Sequence, residues 1–507
     1  MEKTIIIIGA GIAGLSAGCY AQMNGYKSAI FEMHDKPGGL CTAWKRGGYT
    51  FDGCIHSVGG LNPKFKLYHY WNELIDMKKL KFFYHDILGN IEDENGRIAT
   101  IFTDPDKLRE ELISIAPEDA KFIDSFIKAV KKLANFDLMP SKPLELWNPL
   151  DYYVSQFRVA PVLHHLMKWR KSLEDITKKC NNPLLKRVLN EDFFSHFPAY
   201  FLIFSLGHLH NRNVGYPIGG SLPFARLLEN RYLGLGGRVF YHSKVTKINV
   251  KNNRAIGITL ENGETHNDVD IVVSASDGHY TIFKMLEGNY INEKIKKLYD
   301  EHPRWPSMVL VSLGVSRTFE NEPTSIGLHT EKAFVVDNKS KLYQIPITIY
   351  NFDPTLAPEG RTCIRVILRT DNYEYWYDLR KNNMKKYNQE KDRVGKEIIE
   401  ILDRRLGNIK NNVDVIDVVT PATLRRYTNN WKGSIQGWEW TPRLIPEFIK
   451  KELPGLRNFY LIGQWVEPGG GVPTAFMSGR NLLQIICKRD KKKFLTTLQE
   501  MTPAQGR

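Results

Sequence analysis

The chain opens on an unbroken apolar run. Thr4 is followed by Ile5, Ile6, Ile7 and Ile8, and β-branched residues without polar alternation predict a strand buried on both faces. Small and apolar residues from Ile12 to Asn24 then predict a helix with Gly25 as its C′ stop, and Lys27 to Phe31 supplies a second strand. Further runs at Met308 to Val315, Phe334 to Val336, Tyr343 to Tyr350 and Thr362 to Leu368 predict a second sheet, whereas 76 to 205 reads as mainly helical. Residues 151 to 171 interleave Tyr152, Val154, Phe157, Val162, Leu163, Leu166, Met167 and Trp169 with Arg158, Lys168, Arg170 and Lys171. That pattern fits an interfacial helix, apolar side chains in lipid and bases on anionic headgroups, and it also fits an amphipathic helix packed on the core. Core packing is the default expectation.

The first strand ends at Gly9, Gly11 and Gly14, spaced G-x-G-x-x-G with Ala13 inside the turn. Gly9 permits the tight turn, Gly11 lets backbone approach a pyrophosphate, and Gly14 lets helix and strand pack closely. Exposed N–H groups at the helix N-terminus attract the diphosphate. Glu32 closes the second strand 23 positions beyond Gly9, near the ~20 expected of an acid that binds ribose hydroxyls. A glycine-rich turn alone is a weak signal, but strand, helix, second strand and acid agree. The paired glycines that follow, Gly38-Gly39 before Leu40, Gly47-Gly48 and Gly59-Gly60, let backbone pass close to a longer cofactor with a ribityl chain and a tricyclic ring.

Length and composition narrow the picture. A chain of 507 residues predicts two or three structural units. Six separated cysteines without a C-x-x-C pair oppose a zinc site and a disulfide framework, and no metal site is expected. His208, His210, His164 and His165 read as structural or surface residues. The net charge of +14 suits an anionic partner, but no nucleic-acid-binding motif accompanies it, so nucleic acid is set aside. No apolar stretch is long enough to span a membrane, which gives a cytoplasmic expectation, peripheral at the inner face of a membrane if the 151 to 171 helix meets anionic lipid. The end of the chain from Lys488 reads as a solvated basic tail, with 491–507 outside the domains.

Three separated blocks resemble the phytoene desaturase, carotenoid isomerase and retinol saturase family, within the flavin amine oxidase superfamily. They are Gly9 to Gly14 with Gly38 to Cys41 and Phe51 to His56; Tyr216 to Ser221 with Gly236 to Val239, Val245 to Ile248 and Val272 to Ser276; and Asn458 to Trp465 with Pro468 to Arg480. The resemblance implies an α/β and α+β architecture. A discontinuous Rossmann-type FAD-binding domain (1–75, 206–279 and 455–490) carries an inserted substrate domain of mixed sheet plus helices (76–205 and 280–454). It also implies Val245 backbone against the adenine, Gly463 and Gln464 beside the ribityl diphosphate, and Gly471 and Val472 opening a helix toward the flavin ring. The amine oxidases commonly carry arginine after the paired glycines, where this chain has Leu40. No C-terminal cysteine stands where a thioether would form, so FAD is expected to be non-covalent. His56 is the candidate catalytic side chain, with a satisfied core histidine as the equal alternative; Trp465 and Glu467 are candidates for the substrate mouth.

The implied activity is desaturation, saturation or isomerisation of a C=C bond in a long isoprenoid, carotenoid or retinoid. Two alternatives stand beside it, a flavin amine oxidase and a non-enzymatic carrier of prenylated proteins. The electron partner stays open between quinone, oxygen and NAD(P), and the oligomeric state is not readable.

Overall fold

A computed structural model describes residues 2–497 apart from 55–56, 138, 191–194, 442–448 and 468. His56 lies outside the described residues.

The first βαβ unit forms as the pattern requires, with strands Thr4–Ile8 and Lys27–Phe31 flanking the helix Ile12–Met23. Ile5 to Ile8 are all buried, each contributing about 1.5 to 3 kcal/mol of apolar burial. They sit at the centre of a parallel five-stranded sheet ordered Arg238–Phe240, Lys27–Phe31, Thr4–Ile8, Ile271–Ser274, Phe459–Leu461. Three distant stretches of chain therefore present their strand C-termini at one edge. Small residues on the first helix admit the helix Gly471–Arg489: a Cβ on Gly479 would lie 2.5 Å from the Ala17 nitrogen, and Ser16 Oγ donates to the Phe476 carbonyl at 2.7 Å.

The second sheet has seven strands, ordered Val413–Val419, Ser307–Val315, Thr362–Thr370, Lys341–Ile349, Ser325–Val335, Ile87–Glu92, Ile98–Phe102. The run at Phe334 is the end of a longer strand whose pairing shifts register between His329 and Phe334. The hairpin Ile87–Glu92 and Ile98–Phe102 is an exception within the otherwise mainly helical stretch 76 to 205. It joins the sheet's edge by pairing Asn90, Ile91 and Glu92 with Ile326, Gly327 and Leu328, a long-range contact that overrides weak local preference.

Two further expectations change. The basic tail is docked as far as Leu495, whose N–H donates to Asn24 Oδ1 at 2.7 Å, while Phe494 packs on Tyr20 with ring centroids 5.6 Å apart. Lys488, Arg489 and Lys491 to Lys493 face water. The helix Pro149–Lys168, started by a reciprocal cap between Asn148 and Asp151, does not bury its apolar face. Val162 is its one buried residue, whereas Phe157 is 62% and Tyr153 59% exposed. Core packing therefore holds only for the C-terminal half of this helix, where Val162 is buried, Val159 and Leu166 pack beside it, and the following Trp169 packs on Phe122 and Phe126. Among the described residues no helix is long and apolar enough to cross a membrane.

Candidate functional site: the edge of the parallel sheet

The glycine turn after the first strand is held from several sides. Gly9, at φ +99°, donates to the Phe31 carbonyl at 2.8 Å. The Ala10 N–H donates to Glu32 Oε2 at 2.7 Å and the His34 N–H to Glu32 Oε1 at 2.9 Å. Burial raises the Glu32 carboxyl pKa, while the backbone N–H groups of Ala10, His34 and Met33 pull it down. The Gly38 N–H donates to the Ala10 carbonyl at 2.9 Å, and a Cβ on Gly39 would lie 3.6 Å from Gly11 Cα. The paired-glycine turn thus lies directly on the first one.

The third block arrives at the same place. Gly463 follows Phe459–Leu461, donates to Ser478 Oγ at 2.9 Å, and faces Ala13, whose Cβ would be 3.7 Å from a Cβ added there. Gly471 and Val472 form the first turn of the helix Gly471–Arg489, which packs on the first helix; neither helix has a side-chain cap. Their first N–H groups are therefore unpaired within the helix and carry the positive end of each dipole. Val245 begins the strand Val245–Lys251, two positions after Ser243, whose N–H donates to the Glu32 carbonyl at 2.7 Å. Gly14 is a packing position, since a Cβ there would lie 2.0 Å from the Gly9 oxygen.

Other expected residues have partners of their own. Gln464 Nε2 donates to Asn430 Oδ1 at 3.2 Å. Trp465 is 1% exposed within an aromatic cluster that includes Tyr299, Trp431 and Trp438. Glu467 pairs at 2.5 Å with the buried Lys451, which also meets Glu145 at 3.0 Å. His208 is held by Asn213 and the Phe136 carbonyl, and burial lowers its pKa to about 4.

Asp52 has a larger part than its sequence signal announced. It is 2% exposed, accepts the Ser221 N–H, Ser221 Oγ at 2.7 Å and the Cys54 N–H at 3.0 Å. Arg365, from the second sheet, donates to its main-chain carbonyl at 3.0 Å. Asp52 thus ties together the start of the helix Ser221–Gly234, the segment leading to 55–56 and the second sheet. An acid set between Phe51 and Gly53 was the available signal.

Beside this edge lies a cavity of about 600 Å³, with Glu32, Gly39 and Leu40 on one wall and the helices Met384–Leu406 and Pro421–Thr428 on the other.

The fold and the converging turns define a dinucleotide-binding protein of the flavin amine oxidase architecture. A family model described as an NAD(P)-binding Rossmann-like domain matches residues 7–74. A solved structure of a putrescine oxidase redesigned in its cofactor binding superposes with a TM-score of 0.61, at 13% identity over 96% of this chain and 99% of that one. In sequence, prolycopene isomerase 2 of an Oncidium hybrid cultivar is 26% identical over 500 residues, 94% of this chain and 82% of the relative. The 1-hydroxycarotenoid 3,4-desaturase of a Flavobacterium species is 26% identical over 526 residues, 96% of this chain and 99% of the relative. The chain is thus similar over nearly its whole length to a carotenoid isomerase and a carotenoid desaturase, and its Rossmann-like match covers the first glycine block.

Proposed function

We propose that the chain binds FAD without a covalent link and uses it to desaturate, saturate or isomerise a C=C bond of a long isoprenoid polyene. The observation that carries this reading is the meeting of Gly9 to Gly14, Gly38-Gly39 and Gly463 around one backbone segment, beside two uncapped helix N-termini. The residues present suit the group. A Cβ on Gly11 would meet only the Gly38 oxygen, at 4.0 Å, so the chain leaves open the space a diphosphate needs. The Glu32 oxygens accept the Ala10 and His34 N–H groups, and a carboxylate with about four acceptor positions keeps room for a ribose hydroxyl. Unpaired N–H groups at Gly471 and Val472 can stabilise negative charge. When bound, the flavin supplies hydride chemistry at its ring, which leaves the chain to position the substrate and exclude water.

The two relatives support a polyene substrate by their names, one an isomerase and the other a desaturase. An isomerisation is redox-neutral and a desaturation is an oxidation, so all three outcomes stay within the proposal. The exposed apolar helix supports docking on an anionic membrane surface, in keeping with a hydrophobic substrate. His56 remains the proposed catalytic side chain.

The test is direct. Purified protein is expected to be yellow, with bands at roughly 375 and 450 nm that belong to any flavin, and release of free FAD on denaturation checks the non-covalent link. Anaerobic mixing with polyenes, quinones and nicotinamides should then change the flavin spectrum. Colourless protein that cannot be loaded would favour the carrier of prenylated proteins, and a response to amines alone would favour the amine oxidase.

A further inference from the structure

The cavity beside Leu40 carries an unbalanced charge. Lys36, Arg46, Arg380, Lys391 and Arg426 line it against Glu32, Asp35 and Asp417. All three carboxylates are engaged: Glu32 holds two backbone N–H groups, Asp417 accepts Trp44 Nε1 at 2.7 Å, and Asp35 meets His34 Nδ1 at 2.5 Å. Among the described residues Arg46, Arg380, Lys391 and Arg426 form no ion pair. Two of them lie over aromatic rings instead, Arg426 at 4.6 Å from the Tyr427 centroid and Lys391 at 5.7 Å from that of Tyr387. The Tyr427 ring in turn meets the His34 ring edge-on, with centroids 5.1 Å apart. The far wall therefore reaches the residue two places beyond Glu32. Like charges around one cavity repel until an anion joins them, and Trp44, Tyr387 and Tyr427 add flat faces suited to a planar ring.

We propose that this cavity takes the diphosphate portion of a dinucleotide, and that Arg426 and Lys391 supply the positive charge that Leu40 does not bring to the paired-glycine turn. The proposal rests on the FAD reading above. Two sources share the chemistry: the resident FAD, and a nicotinamide dinucleotide acting as the electron partner. Both residues stand on helices remote in sequence from the glycine turns, so charge from the second half of the chain completes a site begun in the first.

The test uses the full-length chain as Arg426→Ala, Lys391→Ala, Arg426→Lys and Glu32→Ala. FAD affinity is read by quenching of flavin fluorescence, and NADH and NADPH affinity by titration of the FAD-loaded protein, each at low and high salt. Loss of either cation is expected to weaken one dinucleotide by roughly tenfold to a hundredfold and to flatten its salt dependence, with Arg426→Lys retaining most of the affinity. Weakening in the FAD arm identifies the resident cofactor as the source, and weakening in the nicotinamide arm identifies the electron partner. If Glu32→Ala weakens FAD while both cation variants bind all three dinucleotides like wild type, this inference falls and the FAD reading stands. If wild type and Glu32→Ala alike fail to bind FAD, both fall.

Discussion

The Glu32 carboxylate accepts the Ala10 backbone N–H at 2.7 Å, so the acid that ends the second strand also pins the turn that ends the first. Its removal should therefore be felt twice. Glu32→Ala is expected to weaken FAD binding by about 1.5 to 3 kcal/mol, the range for hydrogen bonds to a charged group, and to leave the Ala10 and His34 N–H groups unpaired in a buried site. Flavin titration reads the first effect and urea denaturation of the ligand-free chain reads the second. Unchanged FAD affinity would remove Glu32 from the cofactor site whatever happens to stability.

Two glycines of the same turn should separate binding from folding. A Cβ on Gly11 meets nothing closer than 4.0 Å, whereas one on Gly14 would lie 2.0 Å from the Gly9 oxygen. Gly11→Ala is expected to keep the melting temperature of the ligand-free protein within a few degrees while abolishing flavin retention. Gly14→Ala must push strand and helix apart, at a cost of at least about 2 kcal/mol. Equal loss of stability in the two variants would show that position 11 is a packing position too.

The contrast also explains what the sequence could tell. Gly9, Gly11 and Glu32 are legible because each directly ends or follows a local apolar run, and strand order then fixes their edge. Four strands of the second sheet announce themselves by the same β-branched runs. The hairpin from Ile87 to Phe102 does not, because Gly89, Asn90 and the Asp93 to Gly96 turn dilute its pattern and its partner strand begins at Ser325. The Asp52 link is equally hidden: Ser221 and Arg365 lie 169 and 313 positions away. Amphipathicity at 151 to 171 was plain, but which face meets the body depends on Val162 and Trp169 finding pockets made by other helices.

Asp277 gives a pH dependence with a definite sign. It is 4% exposed and accepts N–H groups from Tyr280 and Trp431 at 2.6 and 2.8 Å. Burial, the larger influence, outweighs those bonds and the nearby Arg425 and pushes its pKa from 3.8 up to about 6. Between about pH 4 and 6 the folded chain therefore holds a proton that the unfolded chain has lost, so this residue's contribution to stability falls as pH rises through that window, by about 3 kcal/mol in all. Asp277→Asn loses one acceptor at every pH but should remove the slope. The unfolding free energy of wild type minus that of the variant, measured by urea denaturation from pH 4 to 7, is expected to fall by about 3 kcal/mol as pH rises. A difference that stays constant would place the carboxyl's pKa at its ordinary value in the fold.

The helix Pro149–Lys168 supplies the last prediction. Tyr153 and Phe157, 59% and 62% exposed, stand with rings 4.7 Å apart; Arg158 on the same helix and Arg170 and Lys171 just after it are exposed too. Entry into the headgroup layer should gain about 1.5 to 3 kcal/mol for each large apolar side chain buried, with the bases adding attraction only where the lipid is anionic and the salt is moderate. Wild-type protein is thus expected to float with anionic vesicles and less with neutral ones. Tyr153→Asp with Phe157→Asp should abolish flotation, while FAD content and melting temperature hold, because neither ring contributes to the core. A charge reversal at Arg158, Arg170 and Lys171 should erase only the preference for anionic vesicles. If wild type and the double variant remain equally unbound to both kinds of vesicle, the exposed face does not serve a lipid surface.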